Sequence, residues 1–271
     1  MTRQQIEILS PIIQKFSVHQ NMKLTEQITY NKSIFENLSA FISSSTNKII
    51  LLNCEIIEDY LKTLEKLNES NKKKSILFNP LTFFGIGETM HSFLIAKLIN
   101  PYSEHGQGKL FLNCFLELIG IEVSENDHWI VTAETGRIDI LLKRQYPHTV
   151  VVIENKSNYA KDQENQLYRY WYQEIYLPNC YRENAIEYTS NNKNFQIIYL
   201  TPADWKIPAD HSLQKPTIGY EDFLPITIPI EPKIWLFNKH LVKWLTNSMN
   251  ELPKENHRLR EYVKQYIELW T

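Results

Sequence analysis

The sequence predicts an α/β domain in which helices cover a mixed sheet, in the order helix, three strands, helix, strand. Three observations carry that prediction. Three short β-rich runs, HWIVTAE, GRIDILLK and TVVVIENK, follow one another with tight breaks between them. Helical spacing then returns in KDQENQLYRYWYQEIY, and a further β-rich run, NFQIIYLTP, comes after it. An antiparallel hairpin feeding a βαβ crossover places parallel and antiparallel pairs in one sheet.

Taken in chain order, residues 5 to about 70 carry apolar side chains at helical spacing, first Ile6 to Phe16 and then Ile49 to Leu67. NESNKKKS, residues 68–75, is a polar break whose expected fate is a solvated linker. The expected organisation is therefore a helical N-terminal region, 1–75, and a second domain, 76–271, with its core at about 85–201. That domain opens with GETMHSFLIAKLINP, a helix stopped near Pro101, and KLFLNCFLELIG, a helix closed by Gly120. After the fourth strand, six of the twelve prolines fall between Pro202 and Pro232, so an irregular excursion is expected there, with a short strand at LPITI. Two helices, about 232–249 and 254–269, are expected to close the chain.

Composition narrows the function classes. Lys and Arg number 29 and Asp and Glu 31, so a protein that coats nucleic acid through overall positive charge is excluded; any such contact must come from a local patch. Cys54, Cys114 and Cys180 are odd in number and far apart, which argues against a disulfide framework. No stretch approaches the roughly 18 apolar residues of a membrane helix, and the first residues lack a signal peptide's apolar run. A cytoplasmic protein with no membrane partner is expected. His91, His105, Cys114 and His128 show no zinc-site spacing, and no phosphate-binding P-loop, dinucleotide glycine motif or nucleophile elbow is present.

The hairpin raises a chemical question. Val150 to Ile153 read as a strand buried on both faces, yet Glu154, Asn155 and Lys156 follow at once. If Lys143 pairs with Val150, then Leu142 faces Val151, Leu141 faces Val152, Ile140 faces Ile153 and Asp139 faces Glu154. Strand side chains alternate, so Asp139, Glu154 and Lys156 share one face. Two opposed carboxylates repel, and a hard divalent cation between them reverses the sign. The bland alternative is a solvated Glu154–Lys156 ion pair on a surface hairpin. The all-apolar run before Glu154 argues against it, because such a strand does not lie on a surface.

RID at 137–139 followed by IENK at 153–156 resembles the D…(D/E)xK signature of the PD-(D/E)XK nuclease superfamily, the restriction-endonuclease-like fold. Glu88 on an upstream helix, and Gln166 and Tyr170 in DQENQLYRY, resemble the helical acidic residue and the Q-x-x-x-Y motif of its exonuclease-like branch. The resemblance covers about residues 85–201 and departs from the family at Ile138, where a proline leads the motif, and at Asn155, where an apolar residue is common. It implies an αβββαβ core and phosphodiester hydrolysis with Mg²⁺ or Mn²⁺. Asp139 and Glu154 would hold the metal with the Asn155 carbonyl, Glu88 would complete the shell directly or through water, and Lys156 would position the attacking water. DNA is the substrate the resemblance favours. RNA cleavage, or a non-catalytic interaction subunit of a larger complex, are the competing readings, and the near-neutral charge leaves room for a homo-oligomer or a protein partner.

The remaining candidates serve that reading. Gln166 and Tyr170 share a helix face; glutamine can hold a water, a phosphate or a base edge, and tyrosine can stack on a base or bond a phosphate. Arg137, Lys161 and Arg169 could form the local basic patch. His91, three residues after Glu88, and His105, in a Gly-flanked loop, are candidates for phosphate binding or proton transfer.

Overall fold

The computed structural model describes residues 6, 10, 47–75 and 77–271. The chain divides into two compact units, Met1–Phe78 and Asn79–Thr271. In the first, helix α1 spans Asn47–Lys74. The expected linker NESNKKKS is therefore helical as far as Lys74: its three lysines form the last turn, where cations meet the negative end of the helix dipole. The helix expected to carry Ile6 to Phe16 lies, apart from residues 6 and 10, outside the described part.

The second unit begins with α2 (Glu88–Ile99), entered from an extended Gly87, and α3 (Leu110–Ile119), which ends on Gly120 in the left-handed region at φ 75°. Strands β1 (Trp129–Thr135), β2 (Ile138–Arg144) and β3 (Thr149–Asn155) form an antiparallel meander. The β2–β3 register is the one obtained by counting: Lys143 opposite Val150, Leu142 opposite Val151, Leu141 opposite Val152, Ile140 opposite Ile153. Helix α4 (Gln166–Tyr170) continues as a π-helical turn over Trp171–Tyr176. It begins five residues later than the spacing from Lys161 implies, so Lys161 precedes it. Helix α5 (Ala185–Ser190) leads to β4 (Phe195–Thr201), which pairs parallel with β3 and completes the crossover.

The excursion holds one helical turn, α6 (Asp210–Leu213), and no strand at LPITI, where Thr227 makes only an isolated bridge to Gln214. The first closing helix is also later than expected. Lys233–Leu236 is instead a fifth strand, β5, parallel to β4; Pro232 holds the chain extended into it. A π-helical turn, Phe237–Leu241, then leads into α7 (Val242–Glu251), and α8 (His257–Glu268) ends the fold. The sheet order is β1-β2-β3-β4-β5.

Two cores sandwich this sheet. Val151 and Ile153 pack with α2, α3, α7 and α8 on one face, and Val150 and Val152 pack with α4 and the excursion on the other. Each buried side chain of this kind contributes about 1.5–3 kcal/mol. Period-two alternation carries both faces past the end of the run. Glu154 and Lys156 follow Val152 towards α4, and Asn155 follows Ile153 towards α2.

Candidate active site

The site lies where β3 and β4, running parallel, both end. Glu154 is 1 % exposed, and Asn155 and Lys156 are buried beside it. The Lys156 Nζ donates to Glu154 Oε1 at 2.7 Å. The other oxygen, Glu154 Oε2, is buried with no hydrogen-bond partner among the described residues; the Tyr170 hydroxyl lies near the carboxylate but gives its proton to the Arg137 carbonyl. Asp139, half-buried across the hairpin, is anchored by the Asn155 backbone N–H, which donates to its Oδ2 at 2.6 Å. The Asn155 side chain turns the other way: its Nδ2 donates to the Glu88 carbonyl at 2.8 Å and to Ser92 Oγ at 3.0 Å, and its Oδ1 accepts from Ser157 N at 3.0 Å. Asn155 thus ties the strand end to the first turn of α2 and leaves only main-chain atoms to the site. The polar residue where the resemblance led one to expect an apolar one is explained by those three bonds.

Electrostatics mark the carboxylate pair. Burial and the Glu154 charge push Asp139 up to about 8. Burial also pushes Glu154 up, against the pull of Lys156. Burial works against the Lys156 ammonium, but the Glu154 carboxylate outweighs it and the net direction is up. A buried and a half-buried carboxylate with one ammonium are short of positive charge, and an unpartnered carboxylate oxygen is costly in such a place. Two carboxylates suit a hard divalent cation, and Glu154 Oε2, orphaned among the described residues, is the atom such a cation would satisfy.

Glu88 stands apart from this pair. Among the described residues no three His, Cys, Asp or Glu side chains converge on one metal position. Glu88 Oε1 instead accepts the Asn158 N–H at 3.2 Å and holds the loop after Lys156.

Several sequence-based assignments change. Tyr170 is 1 % exposed; its hydroxyl donates to the Arg137 carbonyl at 2.5 Å and accepts from Gln166 Nε2 at 2.9 Å. A ring enclosed in this way has no face left for a base, so the stacking role assigned to it is withdrawn. Gln166, also buried, presents Oε1 to Lys156 Nζ at 3.5 Å and to Gln163 N at 3.3 Å. Its contact is with the lysine. His91 is buried behind the site, its Nδ1 2.9 Å from Tyr266 Oη and its ring packed against Phe237 and Trp270. Burial lowers it to about 4. A neutral, enclosed imidazole cannot bind nucleic acid, so that role is also corrected. His105 is occupied within its own loop by the Asn100 carbonyl and Gln107 N. Arg137 and Lys161 are exposed and Arg169 is partly exposed, with a long contact to Gln163.

Sequence reasoning missed Asp162. Its side chain is 1 % exposed and lies 3.5 Å from Lys156 Nζ. It accepts from Tyr199 Oη at 2.9 Å and Ala209 N at 2.9 Å, and meets Lys206 Nζ at 3.5 Å. Burial opposes its charge, but these donors outweigh that and hold its pKa below the ordinary value. Asp162 joins the lysine to β4 and to the excursion. Its one sequence signal is that it lies four residues before Gln166 in DQENQ.

A family model described as PD-(D/E)XK nuclease superfamily matches residues 78–268. No curated protein and no solved structure matches the chain. Among the described residues, no helix is long and apolar enough to cross a membrane.

Proposed function

The chain belongs to the PD-(D/E)XK nuclease superfamily, and from that premise we propose that it hydrolyses phosphodiester bonds at Asp139, Glu154 and Lys156 with Mg²⁺ or Mn²⁺. The observation that carries this reading is a buried carboxylate with one oxygen bound to an ammonium and the other orphaned: Glu154 Oε1 holds Lys156, while Oε2 has no partner among the described residues. A purely structural ion pair has no reason to leave half its carboxylate unsatisfied in a dry place.

Asp139 and Glu154 would hold the cation with the Asn155 carbonyl. A divalent cation supplies Lewis-acid charge and a water of lowered pKa. The chain's residues do the rest. The Asn155 N–H fixes the Asp139 carboxylate, so the two acidic groups are oriented before substrate arrives. Lys156, charged and held between Glu154 and Asp162, offers its remaining donor capacity to a phosphate oxygen or to the attacking water. Gln166 limits the amine's movement from the α4 side. The water-poor surroundings of β3 strengthen each of these contacts.

DNA is the proposed substrate, by the family resemblance. The test is incubation of single- and double-stranded DNA and RNA with the wild type and Asp139→Ala in Mg²⁺, Mn²⁺ or EDTA. Metal-dependent cleavage that Asp139→Ala abolishes supports the reading. No cleavage of any substrate supports a non-catalytic interaction subunit.

A further inference from the structure

Tyr159 and Trp205 stack in parallel, ring centroids 5.4 Å apart and planes within 5°. They are respectively 47 % and 70 % exposed. Two large aromatic rings packed on each other in solvent stabilise no core, and they come from different segments: Tyr159 from the loop after β3, Trp205 from the loop after β4. Both loops leave the end of the sheet that carries the carboxylate pair.

From this placement we infer that the Tyr159–Trp205 stack is a nucleobase platform beside the candidate site, and that the substrate presents an unpaired nucleotide next to the scissile phosphate. The inference rests on the nuclease reading and specifies its substrate class.

Two connections tie the stack to the chemistry. The Tyr159 N–H donates to the Lys156 carbonyl at 3.0 Å. On the other side, Lys206, next to Trp205, meets Asp162, which in turn meets Lys156. Movement of the platform against the lysine is therefore restricted from both loops. Tyr159 also sits at φ 58°, a left-handed conformation that a bulky aromatic residue adopts at a cost. Such a conformation persists only where surrounding contacts impose it, and it clusters at functional positions.

An aromatic face takes any base, because every base has a π-face, and this fits a substrate chosen by strandedness. In a duplex the base faces are covered by their neighbours, so a base reaches the platform only from a single strand or after leaving the helix. Exposed Lys161, two residues beyond Tyr159, adds charge for the backbone.

The test is binding in EDTA, where no cleavage intervenes. Oligonucleotides of about 12 residues carry one 2-aminopurine, as DNA or RNA, single-stranded or duplex. The expected result is quenching of the 2-aminopurine on binding of a single strand. Trp205→Ala removes the quenching and weakens single-strand affinity roughly 5- to 100-fold, while Trp205→Phe restores most of both. Because Trp205 is largely exposed, the alanine variant keeps the fold, which thermal melting verifies. Tyr159→Ala is expected to act in the same direction. The DNA and RNA arms show which sugar the site accepts. Single-strand affinity unchanged in Trp205→Ala, or no quenching with any oligonucleotide, overturns the platform and leaves the stack to a protein partner. Wild-type cleavage with unchanged binding by Trp205→Ala removes the platform and keeps the nuclease. Trp205-dependent quenching in a protein that cleaves nothing with Mg²⁺ or Mn²⁺ keeps the platform and removes the nuclease.

Discussion

Lys156 Nζ lies 2.7 Å from Glu154 Oε1, and Glu154 Oε2, on the same carboxylate, is buried without a partner among the described residues. The lysine therefore compensates one half of the acid and leaves the other half uncompensated. Lys156→Ala is predicted to keep divalent-metal binding, measured by calorimetry, while turnover falls about 100-fold or more. Normal turnover in that variant would remove the lysine from the chemistry.

Asp162 is the anchor on the lysine's other side. Asp162→Asn keeps the shape of the side chain and removes the charge that faces Lys156 and Lys206. The expected outcome is a fall in kcat of about tenfold or more, with KM and metal affinity close to wild type. A role limited to folding predicts instead a lowered melting temperature with kcat unchanged in the folded fraction.

Asp139 sets a pH dependence in the metal-free protein. Its folded pKa, about 8, lies above its ordinary value of 3.8, so the folded state keeps a proton that the unfolded chain releases. Its contribution to stability is full below pH 4 and is lost as pH rises towards 8. Asp139→Asn is predicted to flatten that fall and to melt higher than the wild type at pH 8 in EDTA. Adding Mn²⁺ should raise the wild-type melting temperature and leave Asp139→Asn unmoved.

His91 predicts the opposite slope. Burial lowers it from 6.5 to about 4, so its contribution to stability is present above pH 6.5 and is lost as pH falls towards 4. Melting temperatures of the wild type and His91→Phe between pH 4 and 7 test this. The wild type should lose more than the variant on acidification. Loss of oligonucleotide affinity at constant stability would instead restore His91 to the binding surface.

The hairpin was legible because local rules fix it. The β-branched run sets the burial of β3, its short connection to GRIDILLK sets the register, and alternation then puts Glu154 and Lys156 on one face. β5 was not legible. KIWL is four residues long, follows Pro232, and shares its apolar spacing with the helix behind it. Asp162 and His91 were illegible for a different reason. Ala209 lies 47 residues from Asp162, and Tyr266 lies 175 residues from His91. No local pattern encodes a partner at that distance. Tyr170 had the correct helix face, but that face looks into the sheet, so helical periodicity alone mistook an enclosed hydroxyl for one available to substrate.

The most direct measurement is the anomalous difference density of a crystal soaked in Mn²⁺. One ion bound by carboxylate oxygens of both Asp139 and Glu154, with Lys156 beside it, is the predicted result. Manganese absent from that position, or the two carboxylates turned to opposite sides of the sheet around it, would contradict the account.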